Sequence, residues 1–289
     1  MNIFKSILTV FESTMPTPSL WGLVHILSIA LVMLFTLFLC FRFKDANYST
    51  FKRIILIFWL GMVILEIYKQ IEYTFSIENN MIVADYQWYA FPYQFCSAII
   101  YVAPFAIFTK PHTRVHEFSL AFISTFSLLA GILVMCYPAD VFVSTIGINI
   151  QTMYHHGSQV ILGVYVLMYN RHKVNVKFFL KACITFSIAV TIALALNLIA
   201  PYFTSETFNM FFISPYYECT LPVLGSIYAI LHPMGLYLVF LAIYICAFSL
   251  GAFILSGMFY VAYLIYSRIR YSGKVKPVNV VYKKIEIMA

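Results

Sequence analysis

Seven stretches of the chain are rich in apolar residues, and the polar and charged residues are concentrated in the short segments between them. A helix that crosses a membrane needs about 20 mainly apolar residues to cover roughly 30 Å of hydrocarbon. We therefore predict an all-α, polytopic membrane protein with seven transmembrane helices. The predicted spans are Trp21 to Phe41, Ile54 to Thr74, Pro92 to Phe108, Phe118 to Cys136, Thr152 to Tyr169, Phe178 to Leu198 and Pro233 to Ile265.

The two ends of the chain differ from the membrane domain predicted for residues 21–267. In residues 1–20, a short helix with one apolar stripe is expected to lie in the membrane interface, through Ile3, Phe4, Ile7, Leu8 and Phe11. Residues 268–289 form a basic tail. The seventh span would measure about 50 Å as a straight helix, so we expect it to tilt, to bend near Gly251 or Gly257, or to project inward.

The basic residues predict the orientation, because Lys and Arg accumulate in cytoplasmic loops. Of the 18 Lys and Arg residues, only Lys5 and Lys69 lie outside one alternate set of loops. The N-terminus is thus predicted outside and the C-terminus in the cytoplasm. The other sixteen are Arg42, Lys44, Lys52, Arg53, Lys110, Arg114, Arg171, Lys173, Lys177, Lys181, Arg268, Arg270, Lys274, Lys276, Lys283 and Lys284. The net charge of +7 therefore reports topology and not a nucleic-acid partner.

The composition excludes a water-soluble fold, because 62% of the residues are hydrophobic and only 10% are charged, against roughly 25% charged in soluble domains. The six cysteines are scattered and show no zinc-type spacing, so neither a metal site nor a cofactor is predicted. Cys136 and Cys219 both lie on the predicted outer side, where a disulfide between them is one option. The N-terminus lacks the features of a removable signal peptide, and the first span is expected to stay in the mature protein.

Polar residues at membrane depth are costly and are therefore functional candidates. In this sequence they share the outer half of the bundle: His25, Glu66, Lys69, Gln70, Gln94, Cys96, His155, His156, Gln159, Asn197 and His232. The inner halves offer only weakly polar groups such as Thr36 and Thr185. We expect groups from at least four helices to meet in one chamber that opens toward the extracellular leaflet.

Several of these residues allow both a structural and a functional interpretation. Glu66 and Lys69 share a helical face with Gln70, and the pair either locks the bundle or lines a pocket. His155 and His156 point about 100° apart, so only one of them is expected to face a given cavity, together with Gln159 on the His155 face.

The third and sixth spans carry three more residues of this kind. Gln94 and Cys96 are separated by about 200° in an ideal helix and are not expected to share a site. Cys96 is either a small buried hydrophobe or a reactive thiol. Asn197 suits a helix-packing hydrogen bond as well as a ligand contact.

The sequence resembles the YwaF-like family of bacterial membrane proteins, which is related to the eukaryotic transmembrane protein 164 group. The likeness spans most of the chain. It is carried by the order of Glu66, the PYQFC run from Pro92 to Cys96, His155 or His156, Asn197, and the NMFF run from Asn209. Gln94 stands where bacterial members commonly have histidine, in a run resembling LPLHLC.

The resemblance implies a seven-helix fold and, through the eukaryotic relatives, an acyltransferase that moves fatty acyl groups between membrane lipids through a cysteine nucleophile. In our alignment that nucleophile corresponds to Tyr93, whereas Cys96 retains the cysteine of the bacterial run. A tyrosine with a pKa near 10 is a poor nucleophile at neutral pH. The departure at Tyr93 therefore sets this chain apart from the eukaryotic pattern.

Two functions of different classes remain open from the sequence. In the first, the protein is a cell-membrane enzyme acting on membrane lipids by acyl transfer or hydrolysis, with His155 or His156 as base, Cys96 or water as nucleophile and Glu66 as orienting carboxylate. In the second, it is a transporter or receptor that binds a small polar ligand from outside. Ligand contacts in either case would come from Lys69, Gln70, Gln94, Gln159, Asn197 and His25. A retinal protein is excluded because the seventh span lacks a lysine.

Overall fold

The computed structural model describes residues 3–272, and most of them are helical. The ten α-helices are α1 (Ile3–Phe11), α2 (Leu23–Phe43), α3 (Tyr48–Glu72), α4 (Ala98–Phe108), α5 (Arg114–Phe122), α6 (Leu128–Cys136), α7 (Ile146–Tyr169), α8 (Val176–Ile199), α9 (Leu224–Leu231) and α10 (Tyr237–Ser272). The described residues also contain one antiparallel hairpin, β1 (Phe75–Glu78) and β2 (Met81–Ala84), so the fold is not entirely helical as predicted. Most of the predicted basic tail lies outside the described residues.

Five helical segments in this part of the chain are long and apolar enough to cross a membrane: Leu23–Phe43, Tyr48–Glu72, Arg114–Cys136, Val176–Tyr202 and Tyr237–Ile269. The third of these joins α5 to α6 through a π-helical turn, Ile123–Ser127. Helix α7 has 24 residues but carries more polar side chains, which are buried inside the bundle. Helix α4 has only 11 residues. The predicted count of seven spans thus stays a prediction.

The predicted third span is wrong in its first six residues. Residues 92–97 form irregular turns, and α4 begins only at Ala98. Helix α4 also contains Pro104, which cannot donate a hydrogen bond to the carbonyl of Ile100. The indole Nε1 of Trp59 donates to that carbonyl instead, at 2.8 Å. The segment is therefore held by α3 and not by its own helical hydrogen bonds alone.

The predicted seventh span also differs from the helices in the structure. The structure has an extra helix, α9, which ends at Leu231, and α10 begins at Tyr237 and not at Pro233. Between them the chain turns at Gly235, whose φ of 71° lies in the left-handed region that suits glycine. Helix α10 then continues for 36 residues, longer than one bilayer crossing requires.

The predicted N-terminal helix is present as α1, and it packs against other parts of the chain. Leu8 is fully buried, and the ring of Phe4 contacts the ring of Phe75 in β1 edge-on. After α1, Thr14 pairs with Thr145 at the start of α7 in a short antiparallel bridge. The N-terminal segment is thus tied to the bundle at the start of α7, near the polar residues of that helix.

Helix α7 lies at the centre of the bundle, with α2, α3, α6 and α10 around it. Its close approach to α6 depends on Gly131, where an added Cβ would lie 2.7 Å from both the Cβ of Gln159 and the carbonyl oxygen of His156. A larger residue would push the two helices apart at that level. The positions of His156 and Gln159 relative to α6 thus depend on one small residue of that helix, Gly131.

The optional disulfide between Cys136 and Cys219 is not formed. Both cysteines are free, and so are the other four. Cys136 is exposed at the end of α6, whereas Cys219 is buried in the loop before α9.

Candidate functional site

A cavity of about 420 Å³ lies between α3, the turn before α4, the first half of α7 and the loop between α6 and α7. Both His155 and His156 line it, so the expectation that only one would face a given cavity was wrong. Their ring centroids are 5.3 Å apart with an interplanar angle of 70°. It is lined by Lys69, Tyr73, Tyr89, Ala90, Cys96, Ser97, Asp140, Val141, Val143, Ile148, Gln151, Thr152, His155 and His156.

Each histidine uses one ring nitrogen to hold its position and leaves the other free. His155 Nε2 lies 3.1 Å from the carbonyl oxygen of Cys96, and His156 Nδ1 lies 2.8 Å from that of Thr152. Because a carbonyl only accepts hydrogen bonds, each of these nitrogens carries the proton. His155 Nδ1 and His156 Nε2 are therefore lone-pair acceptors, and both are buried without a hydrogen-bond partner among the described residues. Two bases thus have an unused nitrogen at this site.

The turn before α4 places Cys96 beside these rings. Its carbonyl oxygen accepts hydrogen bonds from both His155 Nε2 and Gln159 Nε2, which anchor the turn to α7. That carbonyl is available because residues 92–97 are not helical. The side-chain oxygen of Gln159 is itself buried without a partner. The irregular turn therefore has a consequence for the site, since it brings Cys96 to the cavity wall.

Glu66 lies behind the cavity in a network of three donors. Lys69 Nζ is 2.8 Å from its carboxylate, and Gln70 and Gln151 donate at 2.9 and 3.3 Å. The ion pair lies within α3, whereas the hydrogen bond from Gln151 to Glu66 connects α7 to α3, and Lys69 lines the cavity. Gln151 was missed from the sequence, although it lies four residues before His155 on the same helical face. The predicted span began one residue too late to include it.

Tyr86 extends this network beyond the end of α3. Its hydroxyl donates to the side-chain oxygen of Gln70 at 2.8 Å, and Gln70 donates in turn to the carbonyl of Ala90. Burial, and then the charge of Glu66, raises the pKa of Tyr86 to about 12. The phenol is therefore protonated at neutral pH and remains a donor, which fixes the amide orientation of Gln70.

A second, mainly apolar groove of about 370 Å³ runs between α3 and α4, with Glu66 and Gln70 among its lining residues. Ile67 and Tyr101 on its walls are 56% and 42% exposed. In a membrane, that exposure is toward lipid. The groove and the cavity thus share the Glu66–Lys69 pair as their common wall.

Comparison with known proteins places these features in a family. A model described as the TMEM164 family matches residues 19–272, which include the cavity, the groove and all helices from α2 to α10. The chain belongs to the TMEM164 family. No curated protein and no solved structure matches it. The bacterial YwaF-like resemblance is consistent with this membership.

Gln94 and Asn197 of this TMEM164 family chain form a different polar cluster, away from the cavity. The amide of Asn197 binds both the N–H and the C=O of Met210, at 2.7 and 2.9 Å. Gln94 accepts from the N–H of Phe211 at 2.9 Å and donates to the carbonyl of Asn209. Both side chains are thus engaged by backbone, and neither lines the cavity.

The backbone that they hold is strained. Phe211 and Phe212 have φ values of 58° and 57°, in the left-handed region that bulky residues rarely adopt. Such conformations persist only where the surroundings enforce them. The NMFF run is therefore a loop shaped by Gln94 and Asn197.

His25 and His232 are also structural in this fold. His25 Nε2 lies 2.8 Å from the carbonyl of Met135, and its Nδ1 accepts from the N–H of Trp21 at 3.0 Å. His232 Nε2 lies 3.1 Å from the carbonyl of Pro215. The expectation of one chamber built from at least four helices was therefore wrong. Among the predicted residues, the cavity and its wall draw on α3, the turn before α4, and α7.

Tyr93, which the resemblance pairs with the eukaryotic nucleophile, is directed away from the cavity. Its hydroxyl donates to the carbonyl of Ala189 in α8 at 3.3 Å. Cys96 lies on the cavity wall, three residues later in the same turn. In this TMEM164 family chain, the cysteine that lines the cavity together with the histidines is therefore Cys96.

Proposed function

We propose that this integral membrane protein is an enzyme that acts on the acyl esters of membrane lipids, by transfer or by hydrolysis, at the cavity beside His155 and His156. The observation that carries the proposal is the meeting of Cys96 with two buried imidazoles, each having a free ring nitrogen. A thiol becomes a strong nucleophile when a neighbouring base accepts its proton. This arrangement offers both partners in one cavity.

The proposed orientation puts the cavity in the outer half of a multi-pass protein of the cell membrane, with the N-terminus outside. Seven spans follow if α4 with its preceding turn and the polar helix α7 are added to the five apolar segments. Sixteen of the 18 basic residues then lie at the cytoplasmic side. Lipids of the outer leaflet would reach the cavity from the side.

In the first half of the proposed reaction, the Cys96 thiol gives its proton to a free imidazole nitrogen while its sulfur attacks the ester carbonyl carbon. The C–O bond of the ester breaks, and the departing lysolipid oxygen takes up that proton. An acyl thioester then remains on Cys96. In the second half, an acceptor lipid hydroxyl or a water molecule gives its proton to the same nitrogen and attacks the thioester. The new ester or fatty acid leaves, and the proton returns to the thiolate.

Glu66 and the adjoining groove support this assignment. The groove between α3 and α4 is apolar and open toward lipid, so it suits an acyl chain that enters laterally. Glu66 compensates the charge of Lys69 at 2.8 Å, and Lys69 faces the cavity. The alternative of a receptor or transporter loses three of its predicted ligand contacts, because Gln94, Asn197 and His25 are engaged by backbone.

The test is turnover by the purified full chain in nanodiscs that contain a glycerophospholipid labelled in its acyl chain. Acyl release or exchange is expected, falling by roughly 10²–10⁴-fold in His155→Ala or His156→Ala, whichever is the base. His232→Ala is the matched control, because it removes an imidazole held by the carbonyl of Pro215 away from the cavity. Unchanged turnover in both α7 variants would contradict the proposal.

A further inference from the structure

A third groove, separate from the cavity, runs along the outside of α4, α5 and α8. Its volume is about 470 Å³. The walls are almost entirely apolar, and Phe105, Val115 and Ile188 are each about half exposed. It is lined by Tyr93, Ala98, Tyr101, Val102, Phe105, Arg114, Val115, Phe118, Ser119, Thr185, Ile188, Ala189 and Ile192. In a membrane such a surface is covered by lipid chains, since no other apolar material surrounds it.

The length of α4 sets the depth of this groove. Eleven residues rise about 16 Å, which is roughly half of the 30 Å hydrocarbon core. At the outer end, Tyr93 closes the groove, with its hydroxyl bonded to the carbonyl of Ala189. At the other end lies Arg114, the first residue of α5. The groove therefore has about the depth of a single leaflet, is open to lipid along its side, and carries Arg114 at the end opposite Tyr93.

Arg114 supplies a charge at that end. Arg114 is an exposed residue, and the three ion pairs within residues 3–272 use Lys69, Arg171 and Lys181 as their cations. Glu117, the acidic residue closest to it in sequence, is bonded to Lys181. An unpaired guanidinium matches the geometry of a phosphate and binds it through two parallel hydrogen bonds. The groove thus combines an apolar channel of one-leaflet depth with a phosphate-binding group at that end.

We propose that this groove binds one acyl chain of an anionic glycerophospholipid from the leaflet that borders the turn between α4 and α5, with the lipid phosphate on Arg114. On the orientation proposed above, this is the cytoplasmic leaflet. The site is distinct from the cavity, because neither Cys96 nor either α7 histidine lines it. A bound lipid would brace the short, proline-containing helix α4 against α8.

The experiment uses the purified full chain and phosphatidylglycerol with a photoreactive diazirine near the end of one acyl chain. Crosslinks are expected on α4 and α8 and are expected to fall about fivefold in Arg114→Gln, because a basic residue near the surface contributes about 1 kcal/mol to anionic-lipid binding. Val102→Trp, which fills the groove, is expected to reduce the same crosslinks. Arg53→Gln is the matched control, since Arg53 is an exposed basic residue of α3, which does not line the groove.

Competition with unlabelled lipid completes the test. Phosphatidylglycerol is expected to displace the probe more effectively than phosphatidylcholine, and Cys96→Ala is expected to leave the crosslinks unchanged. Equal crosslinking in Arg114→Gln and Arg53→Gln, or equal displacement by both lipids, would overturn the proposal. Loss of turnover with retained crosslinks, or the reverse, distinguishes this site from the proposed active site.

Discussion

Two polar clusters lie at membrane depth in this protein, and they differ in how their hydrogen-bonding capacity is used. Around Asn197 and Gln94, each side-chain amide bonds to the backbone of the strained Asn209–Phe212 loop. Around His155 and His156, one nitrogen of each ring and the oxygen of Gln159 are buried without a partner in the described residues. The side-chain amides of the first cluster are hydrogen-bonded within the fold, whereas the second cluster retains groups that can act on a substrate.

The comparison shows that a buried polar residue does not by itself indicate function in a membrane protein. A buried polar group costs free energy unless it is hydrogen-bonded. The Asn197 cluster avoids that cost and fixes a loop. The α7 cluster leaves part of the cost unrelieved beside a cavity, which is typical of a site that binds something polar.

The largest expected effect is on turnover. Cys96→Ala is expected to lower acyl turnover by about 10³–10⁶-fold, because it removes the proposed nucleophile. The melting temperature should change little, since the turn is held by the carbonyl of Cys96, which alanine retains. The measurements are lipid turnover and thermal unfolding of the same preparation. A large loss of stability together with the loss of activity would mean that Cys96 supports the fold and is not the nucleophile.

The opposite behaviour is expected at the other cluster. Asn197→Leu should destabilise the protein by about 3 kcal/mol, because it leaves the N–H and C=O of Met210 buried without partners beside two strained residues. Thermal unfolding in detergent measures the loss. Thr191→Leu, an exposed substitution on the same helix, is the control and should be nearly neutral. Equal stability of the two variants would contradict the structural role of Asn197.

A third variant tests the packing that positions the active cluster. Gly131→Ala should cost about 1–3 kcal/mol, since its Cβ would meet Gln159 and the backbone of His156 at 2.7 Å. Turnover should fall with it, because α7 moves relative to the turn that carries Cys96. Gly257→Ala is the matched control, as nothing lies within 4 Å of its added Cβ. It should be neutral or slightly stabilising.

The smallest effect is expected at the Glu66 network. Gln151→Leu removes one of three donors to the carboxylate and should cost about 1 kcal/mol, because Lys69 and Gln70 remain. Thermal unfolding detects the change, with Gln87→Leu at an exposed position as the comparison. A loss of stability as large as that of Asn197→Leu would mean that Glu66 mainly supports the fold.

Much of this architecture follows from hydrophobic patterning, because a bilayer restricts a chain to long apolar helices. The Glu66–Lys69 pair followed from helical spacing, and the closeness of Cys96 to the α7 histidines followed only from their shared depth. The irregular turn at residues 92–97 did not follow, since Pro92 suits the first turn of a helix equally well. Its shape depends on donors from α7 that are about 60 positions away in sequence.

The division of the polar residues into two clusters could not be predicted from the sequence either. Asn197 and His155 look alike as isolated polar residues in apolar helices, and only tertiary contacts decide which backbone groups each one meets. The engagement of Asn197 by Met210 depends on a loop with two left-handed phenylalanines, for which no sequence signal predicts the conformation. Gln151 could have been found, because it repeats the spacing of His155 and Gln159 on one face.

The most direct test is intact-protein and peptide mass spectrometry of the full chain after brief incubation with a defined glycerophospholipid. The account predicts that an acyl group is added in a thioester to Cys96, is removed by hydroxylamine, and is absent when the α7 histidine that serves as base is replaced by alanine. Sustained turnover with Cys96 unmodified, or retained in Cys96→Ala, would contradict it.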